Sequence, residues 1–212
     1  MVEPRLAKAP AQHKGGLFFL VGYAQGNRDI AQAHLLEAHR EHADAFGACI
    51  EDIAAALERT EQNGPTLRDL ASRCLADLVG ELESAARADL QSYAALHHVR
   101  ILGKQLRYAM EIFECCYPGE FRSKHYAAVE EMQEILGLAN DSYTAWERLT
   151  LIRTKMMNSH PAGWSRCKGG IEALLTFHES RLPLQRRKFE KWWRAWLKSG
   201  AEKAFVSLVG GV

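Results

Sequence analysis

The chain has 212 residues, 47% of them hydrophobic, with 27 basic and 26 acidic side chains and a net charge of +1. That composition can bury one domain core or two small ones, which excludes a chain disordered throughout. The longest apolar run, GLFFLVGYA, is far too short to span a bilayer, and five cysteines without a CxxC spacing suggest neither a disulfide framework nor a zinc site.

In chain order the pattern is helical throughout. Residues 1–14 read as a polar, loose segment without a signal-peptide pattern. A short apolar helix is predicted over Gly15–Gln25, ending near Gly26, with Asn27 capping a long helix from Arg28 to about Glu61. Gln62-Asn63-Gly64-Pro65 breaks the chain, and Thr66 caps a helix to about Ala88. The next helix runs from about Leu90 to Cys116 and stops at Pro118-Gly119. Phe121–Leu136 follows, with Gly137 as a left-handed C-cap, and Asn140-Asp141-Ser142 opens a helix to about Asn158. HPAGW reads as a loop before a last long helix over about Arg166–Lys198, kinked or split at Pro183. The tail FVSLVGGV shows no helical logic and is expected to be disordered or a small strand. The fold class is therefore all-α, in antiparallel bundles of long helices. The expected organisation is a first helical half over 15–92, a second over 93–199 and a tail over 200–212.

Charge is not spread evenly. Residues 27–92 carry 13 acids and 6 bases, a net of −7, whereas 93–198 carry 11 acids and 17 bases, a net of +6. A basic half hints at a polyanionic partner. Within it, LHHVRILGKQLRYAME (96–111) places His97, Arg100, Lys104, Arg107, Tyr108 and Glu111 within an arc of about 100° on a helix. Leu96, Val99, Leu102, Leu106, Met110 and Phe113 form the opposite, apolar side. Solvated helix faces usually mix signs, because acid–base pairs three or four apart support the helix. Here three cations stand at spacings of four and three with no acid between them, so the face is either an anion site or a plain surface.

These residues carry a resemblance. LHHVRILGKQLRYAMEIFE followed by VEEMQEILGLANDSYTAW resembles the conserved histidine α-helical domain family, CHAD. Its second-half signature is close to L-H-x-x-R-x-x-x-K-x-x-R-Y-x-x-E, then L-Q-x-x-L-G-x-x-N-D. The matching residues are Leu96, His97, Arg100, Lys104, Arg107, Tyr108 and Glu111, then Gln133, Leu136, Gly137, Asn140 and Asp141. Met132 stands where the family often has Leu. The resemblance implies two pseudo-repeated four-helix bundles whose basic residues line a groove, binding of inorganic polyphosphate, and targeting to polyphosphate granules. The family's first-half helix, H-x-x-R-x-x-x-R-R-x-R, is not found; GNRD (26–29) is the nearest echo. The first repeat thus reads as shortened, and a homodimer could supply the missing lining.

A polyphosphate binder needs regularly spaced cations and no base readout. Arg offers a planar fork and Lys a mobile charge, and helix positions three and four apart are about 5–6 Å apart. Arg100, Lys104 and Arg107 can therefore follow successive phosphates. His97 either donates to phosphate or pairs a buried carboxylate or carbonyl, and Tyr108 either donates or packs. Glu111 is expected to orient Arg107, Asn140 to cap, and Asp141 to pair with a basic residue of the 96–111 helix. A second stripe, Arg187, Lys191, Arg194 and Lys198, is either another wall of the site or a solvated face. Opposite it Phe189, Trp192, Trp193 and Trp196 read as core. Lys124 and Arg122 are weaker candidates. His34, Glu37 and Glu41 share a face, but no matching Glu-x-x-His motif exists for a metal bundle. No metal, cofactor or catalytic residue is expected.

The leading expectation is a non-catalytic polyphosphate binder in the cytoplasm, with granule association, no membrane partner and nucleic acid disfavoured. The alternatives are a phosphohydrolase or phosphotransferase of condensed phosphates, or a helical scaffold for nucleic acid or an acidic protein.

Overall fold

The computed structural model describes residues 8–59 and 64–210, which fold into six α-helices with no strand among them. The predicted break at Gln62-Asn63, the helix end at Glu61 and the outermost residues of both termini lie outside the described residues. The helices are α1 (Ala11–Glu58), α2 (Leu67–Ala86), α3 (Tyr93–Ile112), α4 (Ala127–Ser159), α5 (Pro161–Lys198) and α6 (Ala201–Gly210). A 3-10 turn at Glu114–Cys116 and a π-helical turn at Phe121–Tyr126 join α3 to α4.

The chain divides into two compact units, but not at residue 92. One comprises Met1–Gly64 with Leu151–Leu174, the other Pro65–Thr150 with Leu175–Val212. The reason is length: α4 and α5 each run on from one unit into the other.

In the first unit, among the described residues, the buried side of α1 lies near its start. Gly15 and Gly16 meet Arg166, Cys167 and Gly170 backbone to backbone; a Cβ on Gly15 would stand 2.7 Å from the Arg166 carbonyl oxygen. Leu17 and Leu20 are buried beside that crossing, and from Gly22 to Arg59 nearly every residue is exposed.

The second unit holds the main core. Thr66 starts α2 with a capping box: its hydroxyl accepts from Asp69 N, and its own N–H donates to the Asp69 carboxylate at 2.9 Å. Leu75, Val79 and Leu82 of α2 pack against Val99, Leu106 and Met110 of α3, Met132 and Leu136 of α4, Phe189, Trp193 and Trp196 of α5, and Phe205 and Val209 of α6. Trp193 and Trp196 lie 5.1 Å apart, and the half-buried Trp192 donates to Glu131 at 3.0 Å. The aromatic side of the last long helix is thus core.

Several boundaries differ from expectation. Ordered helix begins at Ala11, inside the segment expected to be loose. Gly26 and Asn27 do not divide α1, because the Asn27 amide donates to the Tyr23 carbonyl four residues back, at 2.8 Å, from within the helix. Gly137 is not a C-cap and Asn140 starts no helix. Gly200 is the glycine with positive φ among the described residues, and α4 runs through both positions with Leu136 and Ala139 buried on its core side. The HPAGW loop shrinks to His160, since Pro161 takes the first turn of α5, where its missing N–H costs nothing. Pro183 lies inside α5 without ending it. The tail is helical up to Gly210: Phe205 and Val209, four apart, are buried against α2, and the carbonyls of Leu208 and Val209 accept from Arg68 (3.3 Å) and Ser72.

Candidate functional site

Ser92 opens α3, its hydroxyl accepting from Ala95 N at 3.1 Å. The helix buries Leu96, Val99, Leu102, Leu106 and Met110 and approaches α4 closely at Gly103. A Cβ at that position would lie 2.6 Å from the Met132 methyl group and would also strike the Gln133 amide. Gln133 donates across the gap to the Arg100 carbonyl at 3.2 Å. The cationic stripe therefore runs along one edge of an α3–α4 seam, with His97, Arg100, Lys104 and Arg107 all half-buried.

Arg100 and Lys104 have no ion pair among the described residues. The Arg100 Nε is buried and has no acceptor there. Lys104 Nζ stands 5.6 Å from the Tyr108 ring centroid and the Arg107 guanidinium 4.7 Å from it, so the half-exposed Tyr108 ring lies beneath two cations.

Arg107 is different. Its guanidinium meets the Glu111 carboxylate at 2.6 Å and the Tyr126 hydroxyl at 3.2 Å, and that hydroxyl donates to the same carboxylate oxygen at 2.6 Å. Acceptance by Tyr126, then the Glu111 charge, makes Arg107 still harder to deprotonate. The bond to Glu111, followed by burial, pushes the Tyr126 phenol up. Glu111 orients Arg107 as its i,i+4 spacing implies, and it also neutralises it.

At the other end of the stripe Tyr93 donates to Asn140 Oδ1 at 2.8 Å and lies 3.3 Å from His97 Nδ1, so Asn140 serves the seam instead of a cap. Tyr93 stacks on Tyr143 with centroids 3.4 Å apart. Burial raises the Tyr93 phenol, while the nearby Arg100 charge pulls the other way. Asp141 does not fill its expected role: it is exposed and has no ion pair among the described residues, although its charge acts on Tyr93 at the end of the seam.

The remaining candidates lie elsewhere. Lys124 pairs with Glu120 at 3.1 Å and Arg122 with Glu114 at 2.9 Å, both largely exposed, while Arg122 also covers the Tyr126 ring at 4.2 Å. Arg187, Lys191 and Arg194 are exposed on the face of α5 turned away from Phe189, Trp193 and Trp196. They point out of the bundle, and none of their contacts reaches the α3 seam; Arg194 Nε donates to its own helix at the Glu190 carbonyl, 3.1 Å. Among the described residues no group of three or more His, Cys, Asp or Glu could hold a metal ion, and no helix is long and apolar enough to cross a membrane.

Sequence reasoning missed Tyr93 and Tyr126. Tyr93 lies four residues before His97 on the same helix, so helical spacing could have found it. Tyr126 carries no such signal, since a loop and a π-helical turn separate it from Arg107. Gln133 stood in the motif without a role until the seam supplied one.

A family model for the CHAD domain matches residues 1–150. The chain belongs to the CHAD domain family. The match takes in α1 and α2 as well as the two motifs, so the first part of the chain is CHAD sequence despite lacking the basic first-half helix. No curated protein and no solved structure matches this CHAD chain. Its seam assembles the motif residues His97, Arg100, Lys104, Arg107, Glu111, Gln133 and Asn140 along two adjacent helices.

Proposed function

We propose that the chain binds inorganic polyphosphate, without catalysis, along the α3–α4 seam. The observation that carries this reading is the pair Arg100 and Lys104: half-buried cations without a carboxylate partner among the described residues, one with a buried Nε lacking any acceptor. A buried, unpaired donor on a charged group is costly, and a phosphate chain would supply the missing acceptors. Of the groups around it Gln133, Asn140 and the Tyr93 hydroxyl are neutral, while the Asp141 and Glu147 carboxylates act on Tyr93 at one end. Membership in a family associated with polyphosphate binding supports the same reading.

A polyphosphate chain repeats one negative charge per unit, so affinity grows with the number of cations it spans. The four-residue step from Arg100 to Lys104 is about 6 Å along the axis. Arg107 already meets Glu111 and Tyr126 through Nη1, so it joins as a third contact with its charge partly compensated. Binding releases counterions and is therefore expected to weaken linearly in log–log terms as salt rises, as polyanion complexes do.

The test is titration of labelled long-chain polyphosphate, over a salt series, into the chain and into Arg100→Glu/Lys104→Glu. Tight, salt-sensitive binding lost in the variant, with helicity retained, upholds the reading. Equal binding in both, or none at low salt, overturns it. Release of orthophosphate with Mg²⁺ or Mn²⁺ would move the chain to the phosphohydrolase class, and displacement of polyphosphate by single-stranded RNA at equal charge would favour a nucleic-acid scaffold.

A further inference from the structure

From Gly22 onward α1 is a helix of more than thirty residues with almost no tertiary cover. Helices in water draw most of their stability from burying an amphipathic face, so the face of α1 is informative. Leu35, Leu36, Phe46, Ile50, Ile53 and Leu57 are between 47% and 70% exposed. Leu35, His39, His42, Phe46, Cys49 and Ile53 follow one another at alternating steps of four and three, the spacing of a helix–helix seam. Leu36, Ala43, Ile50 and Leu57 widen that seam on one side.

We propose that a second copy of this chain covers this face, α1 packing antiparallel on α1 near Phe46. Three observations select a second copy as the occupant. The acids Glu37, Asp44, Glu51 and Glu58 recur every seven residues on the side opposite the seam, so two of these acidic helices can meet without their carboxylates meeting. The two ends of the face match about Phe46, with Leu35 eleven positions before it and Leu57 eleven after, while His39 and His42 fall opposite Ile53 and Ile50. A two-fold axis there sets apolar ends against apolar ends, as an isologous interface requires. The area also suffices. At about 150–200 Å² per large side chain, the six residues leave on the order of 600 Å² open, at the top of what a monomer usually exposes. A pair that covered these side chains completely would remove about 1,200 Å², where stable specific interfaces begin.

The test is sedimentation equilibrium of the full chain at micromolar concentration. The chain is expected at twice its monomer mass. Phe46→Glu/Ile53→Glu is expected to sediment as a monomer, with the near-ultraviolet circular dichroism of the Trp192–Trp193–Trp196 cluster unchanged as the folding control. Leu57→Glu, at the far end of the face, should raise the dimer dissociation constant severalfold, and Asp44→Lys/Glu51→Lys on the opposite side should leave it unaltered. A monomeric wild-type chain overturns the proposal. So does a dimer that survives Phe46→Glu/Ile53→Glu, or one that Asp44→Lys/Glu51→Lys disrupts equally.

Discussion

Arg100, Lys104 and Arg107 on α3 and Arg187, Lys191 and Arg194 on α5 stand at the same spacings of four and three. In the sequence the two stripes look alike. In the fold the α3 set is half-sunk beside α4, with a buried Arg100 Nε, while the α5 set points into solvent. Exposed charges are screened within about 8–10 Å at ordinary ionic strength, and their pairings contribute little. A half-buried cation has already lost much of its water, so an anion that reaches it interacts in a lower dielectric. Periodicity decides which cations stand in line, and burial decides how strongly they act.

The largest expected effect falls on the α3 stripe. Arg100→Glu/Lys104→Glu should weaken long-chain polyphosphate binding at low salt by at least about 100-fold, since each charged hydrogen-bonding group contributes about 1.5–3 kcal/mol, measured by fluorescence anisotropy. Next comes the seam itself. Gly103→Ala pushes a methyl group toward Met132 and Gln133 and should lower unfolding stability by about 1–3 kcal/mol, read from urea denaturation midpoints; an unchanged midpoint would mean that α3 and α4 yield easily. Glu111→Gln sharpens the comparison from within the α3 stripe. It removes the negative charge that neutralises Arg107 at 2.6 Å and should tighten polyphosphate binding about threefold, a shift of a few tenths to 1 kcal/mol; weaker binding would show that Glu111 positions Arg107 for the ligand. The smallest effect is reserved for α5. Arg187→Glu/Lys191→Glu should reduce affinity less than about threefold and lose even that at 0.3 M salt or so. A loss as large as that of the α3 variant would break the comparison and make the exposed stripe a true wall of the site.

What the sequence could reveal followed the range of the interaction. The Thr66 capping box, the apolar spine of α3 and the Arg107–Glu111 pair all act over three or four residues, and each was readable. The continuity of α1 through Gly26-Asn27 was not, because Asn27 bonds back to Tyr23 where a cap was expected. Gly137 and Asn140 look like a helix junction until Tyr93, 47 residues earlier, is seen to donate to Asn140. The pattern of cations was legible, but the neutralisation of Arg107 by the Tyr126–Glu111 contact and the outward aim of Arg187, Lys191 and Arg194 depend on tertiary neighbours.

The C-terminal helix α6 is fastened to α2 partly through its main chain, since Arg68 and Ser72 donate to the carbonyls of Leu208 and Val209. An attachment to backbone atoms is blind to side-chain identity. Evolutionary drift in α6 should therefore be loose at exposed positions such as Lys203 and Ser207, tight at Phe205 and Val209 where the ring and methyls fill the core, and most constrained outside the helix altogether, at Arg68 and Ser72. A comparison of descendants of this chain should show those two α2 residues outlasting most of the tail they hold.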